Sequence, residues 1–191
     1  MIETIVLAIL VSKLKKNKIS TIFKSWTIYP LILMCLLYLI LEIMIFKGIY
    51  FEIQFTTIFK TLLFLSVFIL VIKYKLYASS AIGSLFLLAG SFLNFLAMSA
   101  NNGKMPVFIT LSKLTGYANN SCFSKINDIH IMGNSAAHLK ILTDIFDVGY
   151  CVMSIGDILI RAFIFIIVYK AIEKANLDKV TSLDTNINLT F

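Results

Sequence analysis

The chain is 191 residues long, 59% hydrophobic and only 14% charged, with a mean hydropathy of +0.91 and a net charge of +7. A soluble domain carries roughly a quarter charged residues, and here the apolar surplus falls in blocks about twenty residues long, the length a helix needs to cross a bilayer. Inside lipid every backbone N–H and C=O needs an internal partner, and apolar runs without alternation exclude a β-barrel, so helices remain.

Segment one, Ile2–Leu14, is short for a span and carries Glu3 near its start. It does not read as a cleavable signal peptide, because the basic cluster follows the apolar stretch instead of preceding it. That cluster, Lys13, Lys15, Lys16, Lys18 and Lys24, is the densest basic stretch in the chain. Segment two runs about Trp26–Phe46, with Trp26, Tyr29 and Pro30 at an interfacial entry. Segment three, about Thr56–Ile72, ends at Lys73, Tyr74 and Lys75. Segment four is about Ser79–Ser99. Segment five is about Tyr150–Ala171, followed by a polar tail, Glu173–Phe191, expected to be loosely ordered.

The positive-inside rule orients these elements. With the Lys13–Lys24 loop in the cytoplasm, Lys73, Lys75, Lys170, Lys174 and Lys179 also fall inside. The 47–55 loop, with Lys47 balanced by Glu52, and the long 100–149 connection fall outside. The expectation is an all-α integral membrane bundle of about five spans, N-terminus out and C-terminus in, in a bacterial cytoplasmic membrane. The transmembrane domain covers residues 1–172 and the cytoplasmic tail 173–191. Short interfacial or re-entrant pieces are expected in the 100–149 connection, since a structureless loop that long is uncommon.

The positive charge is read as lysines flanking helices, so membrane lipids and no nucleic acid are the expected partners. No phosphate-cradling Gly loop, haem or iron–sulfur signature and no His/Cys metal cluster is present, so no cofactor or metal is expected. Of the three cysteines, Cys35 reads as packing, while Cys122 and Cys151 share the outer side and are candidates for pairing.

Ionisable residues within spans are functional hypotheses by default. Glu42 lies in the outer half of segment two, and Lys60 is one turn into segment three, where it can snorkel. Asp157 and Arg161, at i, i+4 in segment five, share a helix face within pairing reach. Gly83, Gly90 and Ser91 in segment four suit close helix packing. Asn94 needs a partner and lies at a depth similar to Asp157. Asp144, Asp147, His130 and His138 precede segment five, as solvated residues and a helix cap or as partners of Asp157. Two carboxylates sharing one proton could activate a water.

The strings Ala100–Val107 (ANNGKMPV) and Ser154–Ile158 (SIGDI) resemble the bacterial membrane-protein family DUF5317. That family shows an N-G-G-x-M-P-V-like segment after a span and an S-x-G-D-like segment opening the last span. Asn102 departs from it where a Gly is often found. The resemblance covers most of the chain and implies architecture, not chemistry. A second resemblance, to lipoprotein signal peptidases, rests on Ala89–Asn94 and Met153–Asp157. It places Asp157 at the second catalytic aspartate, but Ala97 stands where the first should be, so Asp144 or Asp147 would have to replace it.

Three classes of function follow. One is binding or moving a small molecule, peptide or lipid at an outward-facing polar cleft, with Asn94, Asn102, Lys104, Asp157 and Arg161 as binding candidates and a homo-oligomer required for transport. A second is an intramembrane aspartyl hydrolase. The third is a structural subunit of a membrane complex.

Overall fold

The computed structural model describes residues 1–49, 55–118, 123 and 129–188. Expectations resting on Glu52, on Asn119–Ser121, on Cys122 and on residues 189–191 lie outside the described residues. The fold is all-α, with its short strands confined to the connection before the last helix. The helices are α1 (Ile2–Leu14), α2 (Ser20–Phe23), α3 (Tyr29–Phe46), α4 (Thr56–Lys73), α5 (Tyr77–Ala100), α6 (Leu111–Thr115) and α7 (Ile155–Asn188). A 3-10 turn, Trp26–Ile28, leads into α3. Pro30 stands in the first turn of α3, where the missing N–H costs nothing.

Among the described residues, two helices are long and apolar enough to cross a membrane: Trp26–Phe46, with hydropathy 2.4, and Tyr77–Ala100, with hydropathy 1.8. Their outward faces carry Leu33, Leu36, Ile40, Leu85, Leu88 and Phe92, all exposed.

Helices α1, α3, α4 and α5 end in the same way. Each closes with an N–H bond to the carbonyl five residues back: Asn17 to Ser12, Ile49 to Met44, Leu76 to Val71 and Gly103 to Met98. The residue before each donor takes a left-handed conformation: Lys16, Gly48, Lys75 and Asn102, with φ of 63°, 73°, 51° and 55°. This C-terminal motif satisfies carbonyls that a helix end leaves without partners. Gly fits the position freely, whereas the lysines hold it under steric strain.

The chain divides into two compact units. Unit 1 comprises Met1–Leu37, Phe59–Ser84 and Ala162–Phe191. Its core is built from helical stripes: Leu63, Val67, Leu70 and Val71 of α4, and Ile164, Ile167, Val168, Ala171 and Ile172 of α7. Their spacing of three and four residues puts each set on one face. Gly83 admits the ring of Phe163, whose Cδ2 would lie 2.8 Å from an added Cβ. Asn176 ties α7 to the basic loop: its Oδ1 accepts from Lys18 N–H at 3.0 Å and its Nδ2 donates to the Lys18 carbonyl at 3.2 Å.

Unit 2 comprises Tyr38–Ile58 and Leu85–Arg161 and contains the 100–149 connection. The described residues of the connection form a cap of short strands and turns. Strand β1 (Met105–Val107) pairs in parallel with β2 (His130–Met132) on one side. On the other it bridges to Asp144, whose N–H donates to Pro106 O while its own carbonyl accepts from Phe108 N–H. Pro106 offers no N–H, and the strand tolerates this because its carbonyl alone serves the Asp144 side. A hairpin of β3 (Phe146–Asp147) and β4 (Val152–Met153) turns at Gly149, φ +89°.

Two expected boundaries differ. The last helix begins at Ile155, not Tyr150, because the preceding residues are used by the hairpin. It then continues through the polar tail to Asn188. Ion pairs Lys170–Glu173 (2.7 Å) and Lys174–Asp178 (3.1 Å), at helical spacing, support that extension over what composition alone read as loose chain.

Candidate functional site

Ser154 and Asp157 form a reciprocal cap at the start of α7. The Asp157 N–H donates to Ser154 Oγ at 2.9 Å, and the Ser154 N–H donates to Asp157 Oδ2 at 3.1 Å. This is the serine-x-x-acid arrangement that satisfies donors at a helix N-terminus, and the negative carboxylate also suits the helix dipole. Asn94 of α5 completes the set. Its Nδ2 donates to Asp157 Oδ1 at 3.0 Å, and its Oδ1 accepts from Ser154 Oγ at 2.7 Å. Ser154 is fully buried.

Glycines make this meeting geometrically feasible. A Cβ on Gly156 would sit 2.0 Å from Asn94 Oδ1 and 2.5 Å from the Gly90 carbonyl. A Cβ on Gly90 would sit 2.4 Å from the Gly156 carbonyl. Backbone meets backbone where α5 crosses the start of α7, the small-residue packing expected of Gly90.

Asp147 is occupied differently. Its Oδ2 accepts from Thr110 N–H (2.6 Å), Ser112 N–H (2.9 Å) and Thr110 Oγ1 (3.3 Å). Its Oδ1 accepts from Ser112 Oγ (2.5 Å) and Gly149 N–H (2.8 Å). It thus caps α6 from a distant stretch of chain. Partial burial works against the charge, but the donors from Ser112, Thr110 and Gly149 outweigh it and hold the carboxyl well below the usual range, at about 2. Asp144 is buried, and its Oδ2 lies 3.7 Å from His130 Nε2. His138 contributes its backbone: its N–H donates to Asn101 Oδ1 and its carbonyl accepts from Asn101 Nδ2, each at 2.9 Å.

Arg161 turns away from the i, i+4 pairing with Asp157. Its Nη2 donates to Cys151 Sγ at 3.3 Å, while the Asp157 carboxylate is held by Asn94 and Ser154. Cys151 is a free thiol and lies within electrostatic reach of Glu42. Glu42 stands one helical turn after Tyr38 on α3. The Cys151 thiol therefore takes a hydrogen bond from Arg161 and lies in the field of three carboxyl groups, Glu42, Asp157 and Asp144.

Of the residues singled out from sequence, the structure brings together Asn94 and Asp157. Asn102 is the left-handed residue that ends α5, and Lys104 links that turn to β1 with its N–H on the Asn101 carbonyl at 3.0 Å. Asn101, Tyr38, Tyr117 and Cys151 were not foreseen as site residues. The spacing of Tyr38 and Glu42, one helical turn apart, was the available signal for one of them. Among the described residues, no group of three or more His, Cys, Asp or Glu side chains is placed to hold a metal ion.

The model of one protein family, described as "Family of unknown function (DUF5317)", matches residues 19–169. No curated protein and no solved structure matches.

Proposed function

The chain belongs to the DUF5317 family, and we propose that it is a multi-pass protein of the bacterial cytoplasmic membrane that binds a small polar ligand at the Glu42–Cys151–Arg161 cluster. In this reading α1, α3, α4, α5 and the apolar half of α7 are the spans. The N-terminus is outside, the 105–153 cap is extracytoplasmic and the C-terminal end of α7 is cytoplasmic. The exposed Leu, Ile and Phe side chains of α3 and α5 support a lipid-facing surface, because water would leave such continuous apolar faces uncovered.

The observation that carries the binding reading is the Arg161 guanidinium on the Cys151 thiol at 3.3 Å, in a field that Glu42 shares with Asp157 and Asp144. Opposite charges on apolar helices are costly in lipid and mark ligand or ion sites. The Asn94–Ser154–Asp157 set is a helix cap and cross-helix brace in this reading, since each of its groups already serves another. That assignment also weighs against aspartyl hydrolysis, because Asp157 is held by an amide and a peptide N–H and Asp147 is saturated by its own donors.

Two measurements test the proposal. A single-cysteine variant, Lys113→Cys on a background lacking the native thiols, should react with an impermeant maleimide from outside intact cells. Labelling only after lysis would overturn the topology. Thermal-shift screening of the purified protein against amino acids, amines and sugars should find a solute whose stabilisation is lost in Arg161→Gln or Glu42→Gln. Stabilisation unchanged in both variants would move the site elsewhere.

A further inference from the structure

Five lysines, Lys13, Lys15, Lys16, Lys18 and Lys24, crowd the stretch from α1 to α3, and no acidic residue stands between Glu3 and Glu42. All five are exposed. Among the described residues none of their ammonium groups meets a carboxylate. The acidic side chains on the adjoining stretch of α7 are already taken, in the Lys170–Glu173 and Lys174–Asp178 pairs.

These lysines stand on a turn whose backbone is fixed. The Asn17 N–H closes α1 on the Ser12 carbonyl at 3.1 Å, and this puts Lys16 in the left-handed region at φ 63°. Both backbone groups of Lys18 are held by the Asn176 side chain, and its carbonyl also accepts from the Thr21 N–H at 3.2 Å. The Ser25 and Thr27 hydroxyls share a hydrogen bond of 2.7 Å, and the Tyr29 hydroxyl donates to the Phe23 carbonyl at 3.2 Å. A glycine would suit position 16 without strain. The chain keeps a third basic side chain there instead.

Apolar side chains are exposed among the lysines: Leu14 at 82%, Phe23, and Trp26 at 66%. Trp26 opens Trp26–Phe46, which is long and apolar enough to cross a membrane. Like charges on one turn repel and call for counter-charge from outside the chain. A dissolved polyanion would supply it but leave Leu14, Phe23 and Trp26 in water. The face of an anionic bilayer answers both needs. Its phosphates meet the ammonium groups, and its headgroup layer is where an indole ring settles.

We infer that the Lys13–Lys24 turn, with Leu14, Phe23 and Trp26, is a docking surface for the anionic phospholipid headgroups of the inner leaflet. This rests on the membrane-spanning reading above and names the partner of its cytoplasmic side.

The test uses the full chain purified in a neutral detergent. Dihexanoyl-phosphatidylglycerol is titrated against dihexanoyl-phosphatidylcholine, with unfolding temperature and the fluorescence of Trp26, the one tryptophan of the chain, as readouts. Wild type should show a saturable response to phosphatidylglycerol over phosphatidylcholine. The response should weaken from about 0.1 M to about 1 M NaCl, as the screening length falls from about 10 Å to about 3 Å. The triple variant Lys15→Gln, Lys16→Gln, Lys18→Gln should bind at least about tenfold more weakly. The triple variant Lys47→Gln, Lys113→Gln, Lys140→Gln removes the same charge elsewhere and should bind like wild type. Lys16→Gly relieves the left-handed strain, so it should be at least as stable as wild type without lipid and still bind phosphatidylglycerol more weakly.

Equal responses to the two lipids, or equal weakening in the two triple variants, would overturn the inference. So would tripolyphosphate or a short single-stranded DNA matching phosphatidylglycerol in both readouts, since the partner would then be a dissolved polyanion. Alkaline carbonate extraction of cell membranes separates the two readings. A chain that stays in the membrane pellet without preferring phosphatidylglycerol loses this inference alone, and one released to the supernatant loses the membrane-spanning reading with it.

Discussion

Asn101 and His138 satisfy each other in both directions through one side-chain amide and one peptide unit, with both hydrogen bonds at 2.9 Å. Asn101 Nδ2 also donates to the Ala97 carbonyl at 2.7 Å, so one side chain ends α5 and anchors the 134–143 stretch of the cap. Replacing Asn101 with Ala should cost about 1–3 kcal/mol, because it leaves several backbone groups without partners. Limited proteolysis should cut the 134–143 stretch faster in the variant, with the remaining helices unaffected. Wild-type protection there would show that the strands alone hold the cap.

The contact of α5 with the start of α7 admits no side chain at either glycine. Gly156→Ala would drive a Cβ against Asn94 and the Gly90 carbonyl, and an unfolding temperature measured in detergent should fall by the equivalent of about 1–3 kcal/mol. Gly116→Ala is the informative contrast, because nothing lies within 4 Å and only its φ of +79° is strained. Equal losses in the two variants would mean that the helices separate easily.

Ser154→Ala should destabilise by about 1 kcal/mol as a lost N-cap, and further because Asn94 Oδ1 loses its donor. Asp157→Asn keeps an acceptor for the Ser154 N–H and should be milder than Asp157→Ala. A steep loss of ligand binding in Asp157→Asn without loss of stability would instead return Asp157 to the binding site.

Asp147 predicts the acid behaviour of the cap. Its folded pKa, about 2, lies below the ordinary Asp value, so its stabilisation is fully present above that ordinary value. The stabilisation is lost as pH falls from the ordinary Asp range through about 2. Amide exchange of α6, followed from neutral pH into that window, should accelerate in wild type. In Asp147→Asn the exchange should already be fast at neutral pH and respond less to acid. Parallel profiles would remove Asp147 as the cause.

Lys75, at φ 51°, holds the left-handed position that closes α4. Lys75→Gly should therefore raise stability by roughly 1 kcal/mol. Lys75→Ala, which keeps the strain, should not. The comparison of unfolding temperatures isolates backbone strain from the loss of a lysine charge.

The helices were legible in sequence because apolar run length and lysine flanks respond to the same constraint. The helices lie over the expected apolar runs, at 2–14, 29–46 after a 3-10 turn at 26–28, 56–73 and 77–100. The cap was not legible beyond its turns, since strands as short as Met105–Val107 have no period to detect. The helical tail was missed because Lys170, Glu173, Lys174 and Asp178 read as polar composition until their spacing is taken into account. Asn94 and Asp157 were placed at similar depth and do meet, but S-x-G-D reads equally as a catalytic aspartate or a capping pair. Only the positions of Ser154 Oγ and the two N–H groups distinguish these. The edge-on contact of Phe46 with Tyr117 depends on a loop residue whose tertiary position no local pattern encodes.

The brace between Asn94 and Asp157 joins residues 63 positions apart in sequence. Chain elongation at about 5–20 residues per second delivers Asp157 roughly 3–13 s after Asn94. For those seconds α5 waits with a bare glycine face and an amide lacking its carboxylate, in a setting where an unmatched amide seeks any available donor or acceptor. The last helix is then a closing clasp, and a chain stalled before Ser154 would expose a surface that the finished protein covers.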